Sequence, residues 1–312
     1  MTVNECFEGV VGSLGNNPTQ DQEQLIQLLA NYLSDDNRKD VFIIRGYAGT
    51  GKTTVVGATV KYLKSQKTRV VLLAPTGRAA KVMSSYSGVS AFTIHKYIYQ
   101  VGESEFSGVQ FFRKTNKHKN TVFIVDESSM ISEKSDGYNN ILHDLVEFVN
   151  ESENNRLIFV GDIAQLPPVG SDLSPALIPR YFKDLYGFRI GGFELKEVVR
   201  QREQSGILEL ATRLRTVLKE GGDVNLDINS PDVSFISGAE FPDEMESSLS
   251  NYGEEGVVVL TRSNKSANLF NQQIRARILY REERVEGGDM MMVVKNNYHW
   301  LESDFIANGE SI

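Results

Sequence analysis

The eight residues Gly46-Tyr47-Ala48-Gly49-Thr50-Gly51-Lys52-Thr53 match the pattern Gly-x-x-x-x-Gly-Lys-Ser/Thr, whose chemistry is the grip on a polyphosphate. Glycines let the backbone curl so that its N–H groups point inward at phosphate oxygens. A helix opening directly after the loop adds the positive end of its dipole. Lys52 is placed to reach the β- and γ-phosphates, and Thr53 to hold Mg²⁺. The plainer reading, a glycine-rich turn, does not account for the context: an apolar run, Val41 to Ile44, precedes the loop and a helical stretch, Thr53 to Lys64, follows it. Gly46, Ala48, Gly49, Thr50, Gly51, Lys52, Thr53 and Thr54 are therefore expected to bind ATP with Mg²⁺.

An apolar run, Val122 to Val125, ends in Asp126-Glu127. Two acids at a strand end suit a metal and a water: Asp126 would hold Mg²⁺ with Thr53, and Glu127 would polarise the attacking water. Taken alone the pair is equally well a helix cap. Phe159 to Val169 reads FVGDIAQLPPV, and it puts Gln165 just past another strand end, the edge where ligands sit in open α/β sheets. An amide there can sense a γ-phosphate; without the other motifs a proline-closed loop is the simpler reading.

The elements that must position these groups follow from periodicity. Asp21 to Leu33 carries apolar residues near a 3.6-residue period and reads as a helix. Short apolar strands follow at Val41 to Ile44, Val70 to Ala74, Thr121 to Val125 and Leu157 to Val160. Between them lie helical stretches at Thr53 to Lys64, Gly77 to Ser84 and Tyr138 to Asn150. Strands alternating with helices imply an α/β fold, a parallel sheet covered on both faces. Residues 97–120 break the alternation with aromatic and basic residues and read as an inserted β-hairpin. After Leu195 the alternation resumes more faintly, with strands at Val233 to Ile236 and Val257 to Leu260 and a helix from Lys265 to Leu279. Met290 to Val294 looks β-rich.

The bulk numbers bound the possibilities. The chain has 312 residues, enough for about two domains. Its apolar runs are too short to span a bilayer, and its start has no basic-then-apolar signal pattern. Cys6 is the only cysteine, which excludes an intramolecular disulfide. A cytoplasmic protein with no membrane partner is expected. The net charge of −8 gives no global basic footprint for nucleic acid, although 61–69 and 113–119 are locally basic. His118 lies within the second of these stretches and reads as solvated.

The ordered set of motifs resembles superfamily-1 DNA helicases of the RecD/Dda type. Thr19-Gln20-Asp21-Gln22 is similar to the family's Q motif, in which the glutamine, here Gln22, reads adenine. Ala74 to Ala80, APTGRAA, resembles a segment that contacts single-stranded DNA, and Thr93-Ile94-His95 resembles the next such segment. GDIAQLPPV following DESSM is more specific to these helicases than the phosphate loop is. Position 128 is Ser where the family usually has Ala. Leu195 to Gln201 resembles a later motif in which Arg200 would approach the γ-phosphate.

The resemblance implies a P-loop NTPase with two RecA-like parallel-sheet domains. The first would span 1–96 and 121–185, with the hairpin at 97–120 as a duplex-splitting pin. A partial second would span 186–285, and 286–312 would begin an SH3-like insertion. Lys52, Glu127, Gln165 and Arg200 would be catalytic. Pro75, Thr76, Arg78, His95, Phe111, Phe112, Thr261 and Asn264 would contact DNA. Structural alternatives for some of these stay open: His95 as a hydrogen-bonded structural histidine, and Phe111 and Phe112 as packing under the hairpin. The activity implied is ATP-dependent unwinding of duplex DNA by a monomer that binds single strands and moves 5′ to 3′, in repair, recombination or replication. The family's later motifs would follow Ile312, so the chain reads as C-terminally truncated. A nucleotide-dependent DNA-binding module without unwinding and an RNA motor are the alternatives.

Overall fold

The computed structural model describes residues 1–34, 40–104, 108–133, 140–168, 171–197, 205–223 and 230–294, without the side chains at 101–111 and 219. The chain divides into two compact units, one built on Met1–Arg200 and the other on Gln201–Met292.

The first unit contains a six-stranded parallel sheet. Its strands are β1 (Val41–Gly46), β2 (Arg69–Ala74), β3 (Ala91–Thr93), β6 (Thr121–Val125), β7 (Arg156–Gly161) and β8 (Ile190–Leu195), in the order β3-β2-β6-β7-β1-β8. Because strand side chains alternate between faces, one apolar run serves two cores. Phe42, Ile44, Leu72, Val122, Ile124, Ile158 and Val160 face α1 (Val3–Leu14), α2 (Gln20–Ser34) and α3 (Lys52–Ser65). Val41, Ile43, Leu73, Phe123, Val125, Leu157 and Phe159 face α5 (Ile94–Ile98), α6 (Ile141–Asn150) and α7 (Pro179–Tyr186). The helix α4 (Gly77–Ser87) joins β2 to β3. Tyr32 ties α2 to the sheet: its hydroxyl donates to the Leu157 carbonyl at 3.1 Å and accepts from the Leu157 N–H at 3.0 Å.

Residues 97–120 contain an antiparallel hairpin, β4 (Tyr99–Ser104) with β5 (Gly108–Arg113). Its base is bound to α6. The Tyr99 hydroxyl donates to Asp144 at 2.5 Å, Arg113 pairs with Glu147 and Glu151, and the buried Asn116 amide donates to the Phe148 carbonyl. His118 is not merely solvated, as its basic neighbours suggest. It stacks on Tyr97 and lies 2.9 Å from that hydroxyl, and burial, with Arg69 nearby, lowers its pKa.

Elements not legible in the sequence include α1, α5, α7, β3 and β8. The last bears on the domain boundary, because Ile190–Leu195 pairs with β1 along its whole length and so completes the first sheet rather than opening a second domain at 186.

The second unit, among its described residues, consists of α8 (Gly206–Glu220), α9 (Phe241–Tyr252) and α10 (Asn264–Arg277). Arg281 bridges Glu254 and Asp289, which also pairs with Arg275. The strands expected at Val233 to Ile236 and Val257 to Leu260 do not form: the region shows one isolated bridge, Ser230 with Val233, and Val258 and Leu260 are 80% and 90% exposed. A strand needs a neighbour to satisfy its backbone groups, and none lies alongside these among the described residues. Met290 to Val294 likewise forms no strand. Residues 295–312, the bulk of the expected SH3-like start, lie outside the described residues.

Candidate nucleotide site

The carboxyl ends of β6, β7 and β1, three adjacent strands, carry the residues singled out for phosphate chemistry. The loop after β1 turns on Gly49 and Gly51, at φ 79° and 82°, a left-handed backbone that favours glycine. Gly51 is the N-cap of α3, whose first residue is Lys52. The Lys52 ammonium donates to the carbonyls of Gly46 at 2.6 Å and Tyr47 at 2.8 Å, and stands 3.9 Å from Asp162. Thr50 is fully buried and braces the loop, its hydroxyl donating to the Tyr47 carbonyl at 2.8 Å. Gly46 leaves the cradle no room for a side chain, since a Cβ there would lie 2.8 Å from Thr50 Oγ1 and 3.0 Å from the Leu195 carbonyl. Thr53 and Thr54 are exposed on the first turn of α3. Gln22 is buried beside the loop: it forms a reciprocal cap with Thr19, and its Nε2 lies 3.5 Å from the Thr50 carbonyl.

At the end of β6 the backbone bends sharply. Glu127 adopts φ 53°, ψ 35°, a strained conformation for a non-glycine residue, costing about 1 kcal/mol or more. A single 3₁₀ turn, Ser128–Met130, follows. Such an outlier persists only when its surroundings enforce it. Here Asp126 Oδ1 accepts from the Glu127 N–H at 2.9 Å and the buried Ser128 hydroxyl donates to the Val125 carbonyl at 2.8 Å. The Glu127 carboxyl is pushed above the usual carboxylate range. Burial is the main cause and the Asp126 carboxylate the next, opposed by Lys52 and by a hydrogen bond from Gln165. Gln165 is itself held, since Ser129 donates to its Oε1 at 3.0 Å. The turn before it is set by Asp162, whose Oδ1 accepts from the Ala164 N–H at 2.8 Å.

The structure thus gathers Lys52, Asp126, Glu127 and Gln165 at one sheet edge. Thr53 and Asp126 offer hydroxyl and carboxylate oxygens, hard donors of the kind Mg²⁺ takes. Arg200 lies outside the described residues.

Three participants were missed in the sequence. Asp162 stands inside the motif that was noticed for Gln165. Ser129 sits in DESSM, read only for its acids. Tyr86, on α4, donates to Asp126 Oδ2 at 2.7 Å, and burial and the two neighbouring acids raise its pKa so that it keeps its proton. A tyrosine beside the buried stripe Ala80, Met83, Ser87 was visible, but its partner 40 residues away was not.

The residues expected to contact DNA fall into groups. Pro75 and Thr76 follow β2, and His95 follows β3, its neighbour in the sheet, so they share an edge. The Thr76 side chain caps α4, accepting from the Ala79 N–H at 3.2 Å, while Arg78 and His95 are exposed. The His95 ring lies 5.7 Å from that of Tyr99. Phe112 is 45% exposed on β5; the side chain of Phe111 lies outside the described ones. Thr261 and Asn264 belong to the second unit, where Thr261 donates to the Ser263 carbonyl at 3.1 Å and Asn264 begins α10.

Comparison with known proteins agrees with the motif reading. The chain is 30% identical over 213 residues to an uncharacterized protein of Methanocaldococcus jannaschii, covering 64% of this chain and 16% of that one. It is 28% identical over 289 residues to the ATP-dependent DNA helicase Dda of Enterobacteria phage T4, covering 88% of this chain and 60% of Dda. It is 32% identical over 133 residues to the ATP-dependent RecD2 DNA helicase of Deinococcus radiodurans, covering 42% of this chain and 16% of RecD2. The chain spans less than two thirds of each of these relatives. The resemblance to the RecD/Dda type is borne out by the last two. No helix among the described residues is long and apolar enough to cross a membrane. The AAA domain family model matches residues 19–222, and the chain belongs to that family.

Proposed function

We propose that the chain is the motor part of an ATP-dependent DNA helicase that binds single-stranded DNA and unwinds duplex in the 5′ to 3′ direction. The observation that carries this reading is the meeting of Lys52, Asp126, Glu127 and the Ser129-held Gln165 on the sheet edge that also bears the phosphate loop. Similarity to relatives named as ATP-dependent DNA helicases supports DNA rather than RNA as the track.

In this reading Gly46 to Thr54 and Gln22 hold ATP, with Lys52 exchanging its two carbonyl partners for phosphate oxygens. Thr53 and Asp126 hold Mg²⁺, which when bound neutralises phosphate charge. Glu127 orients the attacking water, and its raised proton affinity suits a base. Gln165 senses the γ-phosphate and reports it to Ser129. Arg200 completes the phosphate contacts. Pro75, Thr76, Arg78, His95, Thr261 and Asn264 grip the strand through its backbone and bases, and Phe112 with Phe111 forms the pin that meets the duplex. The protein acts as a monomer in the cytoplasm, in repair, recombination or replication.

Strand separation tests this reading. With ATP, a duplex with a 5′ single-stranded tail is expected to be opened and one with a 3′ tail not. Nucleotide-dependent binding of both substrates with separation of neither would contradict it and favour a binding module.

A further inference from the structure

Asp126 is served by a residue that none of the recognised motifs contains. Tyr86 lies on the last turns of α4. Its ring packs against α3, where a Cβ at Gly57 would sit 3.6 Å from Tyr86 Cδ2. From there its hydroxyl reaches Asp126 Oδ2 at 2.7 Å, while Oδ1 takes the Glu127 N–H at 2.9 Å. Each carboxylate oxygen thus has one donor and keeps a lone pair for another partner. With both oxygens held, the carboxylate cannot rotate freely, and a neutral phenol leaves its negative charge intact. Partners of this kind fix metal-binding carboxylates in other proteins and change metal affinity when removed.

We propose that Tyr86 is a positioning residue for the divalent cation. It fixes the Asp126 carboxylate in the orientation that receives Mg²⁺ at the nucleotide, and it acts only through Asp126. The inference rests on the reading of Asp126 as a cation ligand. The ring contacts with α3 do not depend on the hydroxyl, so Tyr86→Phe removes the one hydrogen bond and keeps the packing.

The test is titration of the protein·ADP complex with Mn²⁺, followed by the loss of the free-ion signal in electron paramagnetic resonance. Tyr86→Phe and Asp126→Asn are compared with the unaltered chain. ADP affinity in EDTA and thermal unfolding are measured alongside. Tyr86→Phe is expected to raise the Mn²⁺ concentration for half-saturation about tenfold, while metal-free ADP affinity and the unfolding temperature stay close to those of the unaltered chain. An unchanged or lower Mn²⁺ requirement in Tyr86→Phe would overturn the inference, as would an equal loss of ADP affinity in EDTA. If Asp126→Asn weakens Mn²⁺ binding and Tyr86→Phe does not, only the role of Tyr86 fails. If neither does, Asp126 is not the ligand and the underlying reading fails with it.

Discussion

Ser129 and Gln165, 36 residues apart in the chain, meet through a hydrogen bond of 3.0 Å from the serine hydroxyl to the amide oxygen. The bond leaves the Gln165 amide nitrogen directed elsewhere, and Glu127 receives a hydrogen bond from that side chain. One serine on the turn after β6 therefore sets which way the Gln165 amide faces, and so what Glu127 feels.

Ser129→Ala is expected to lower the ATP turnover number about tenfold, roughly the worth of one misplaced hydrogen bond. The concentration of ATP at half-maximal rate should change little, because the serine hydroxyl is bonded to Gln165 and not to the phosphate loop. Steady-state phosphate release read across ATP concentrations separates the two parameters.

Glu127→Gln should keep nucleotide binding and lose turnover by about 100-fold or more, the range expected when a general base is removed. The side chain keeps its size and much of its hydrogen bonding, but not its ability to take a proton. Single-turnover hydrolysis alongside equilibrium binding is the check; retained hydrolysis would remove Glu127 from that role.

Lys52→Ala removes the ammonium that now bridges the Gly46 and Tyr47 carbonyls. A charge-assisted bond from that ammonium to a phosphate oxygen would be worth about 1.5–3 kcal/mol, so ATP affinity should fall about tenfold to a hundredfold. Calorimetric titration with a non-hydrolysable ATP analogue measures it, and unchanged affinity would contradict the loop's assignment.

The hairpin base should respond to acid. Burial lowers the pKa of His118, so the folded state favours the neutral ring. Stability from this group is therefore present above the unfolded value of about 6.5 and is lost as pH falls below it. Thermal unfolding of the unaltered chain should lose its margin over His118→Gln between about pH 7 and pH 5. A margin that holds constant across that range would contradict the packing described for Tyr97 and His118.

Gly192→Ala should weaken the first domain's sheet at its β1–β8 edge. A Cβ at 192 would lie 2.5 Å from the Ile43 carbonyl oxygen, which backbone alone must relieve. Overpacking of this kind costs about 1–3 kcal/mol, to be read from denaturant unfolding.

How far the sequence revealed this arrangement depended on range. The strands that lead into the phosphate loop and into Asp126 were legible because their apolar runs are continuous, as burial on both faces requires. The phosphate loop was legible because its chemistry fixes residue types at fixed spacing. Gly191 and Gly192 hid β8, since they break the apolar run that marked the other strands. Three-residue β3 is too short to show a period. Val257 to Leu260 failed in the opposite way: an apolar run with no pairing neighbour among the described residues reads like a strand, yet leaves Val258 and Leu260 exposed. At the site, Lys52, Asp126, Glu127 and Gln165 come together at the carboxyl ends of adjacent strands. The bonds from Tyr86 and Ser129 that orient them span 40 and 36 residues, and no local pattern reports such contacts.

The most direct measurement of the central claim is steady-state ATP hydrolysis by the protein with and without a single-stranded DNA oligonucleotide. DNA is expected to raise the rate severalfold or more, and Lys52→Ala to abolish the effect. A rate indifferent to DNA would contradict that claim.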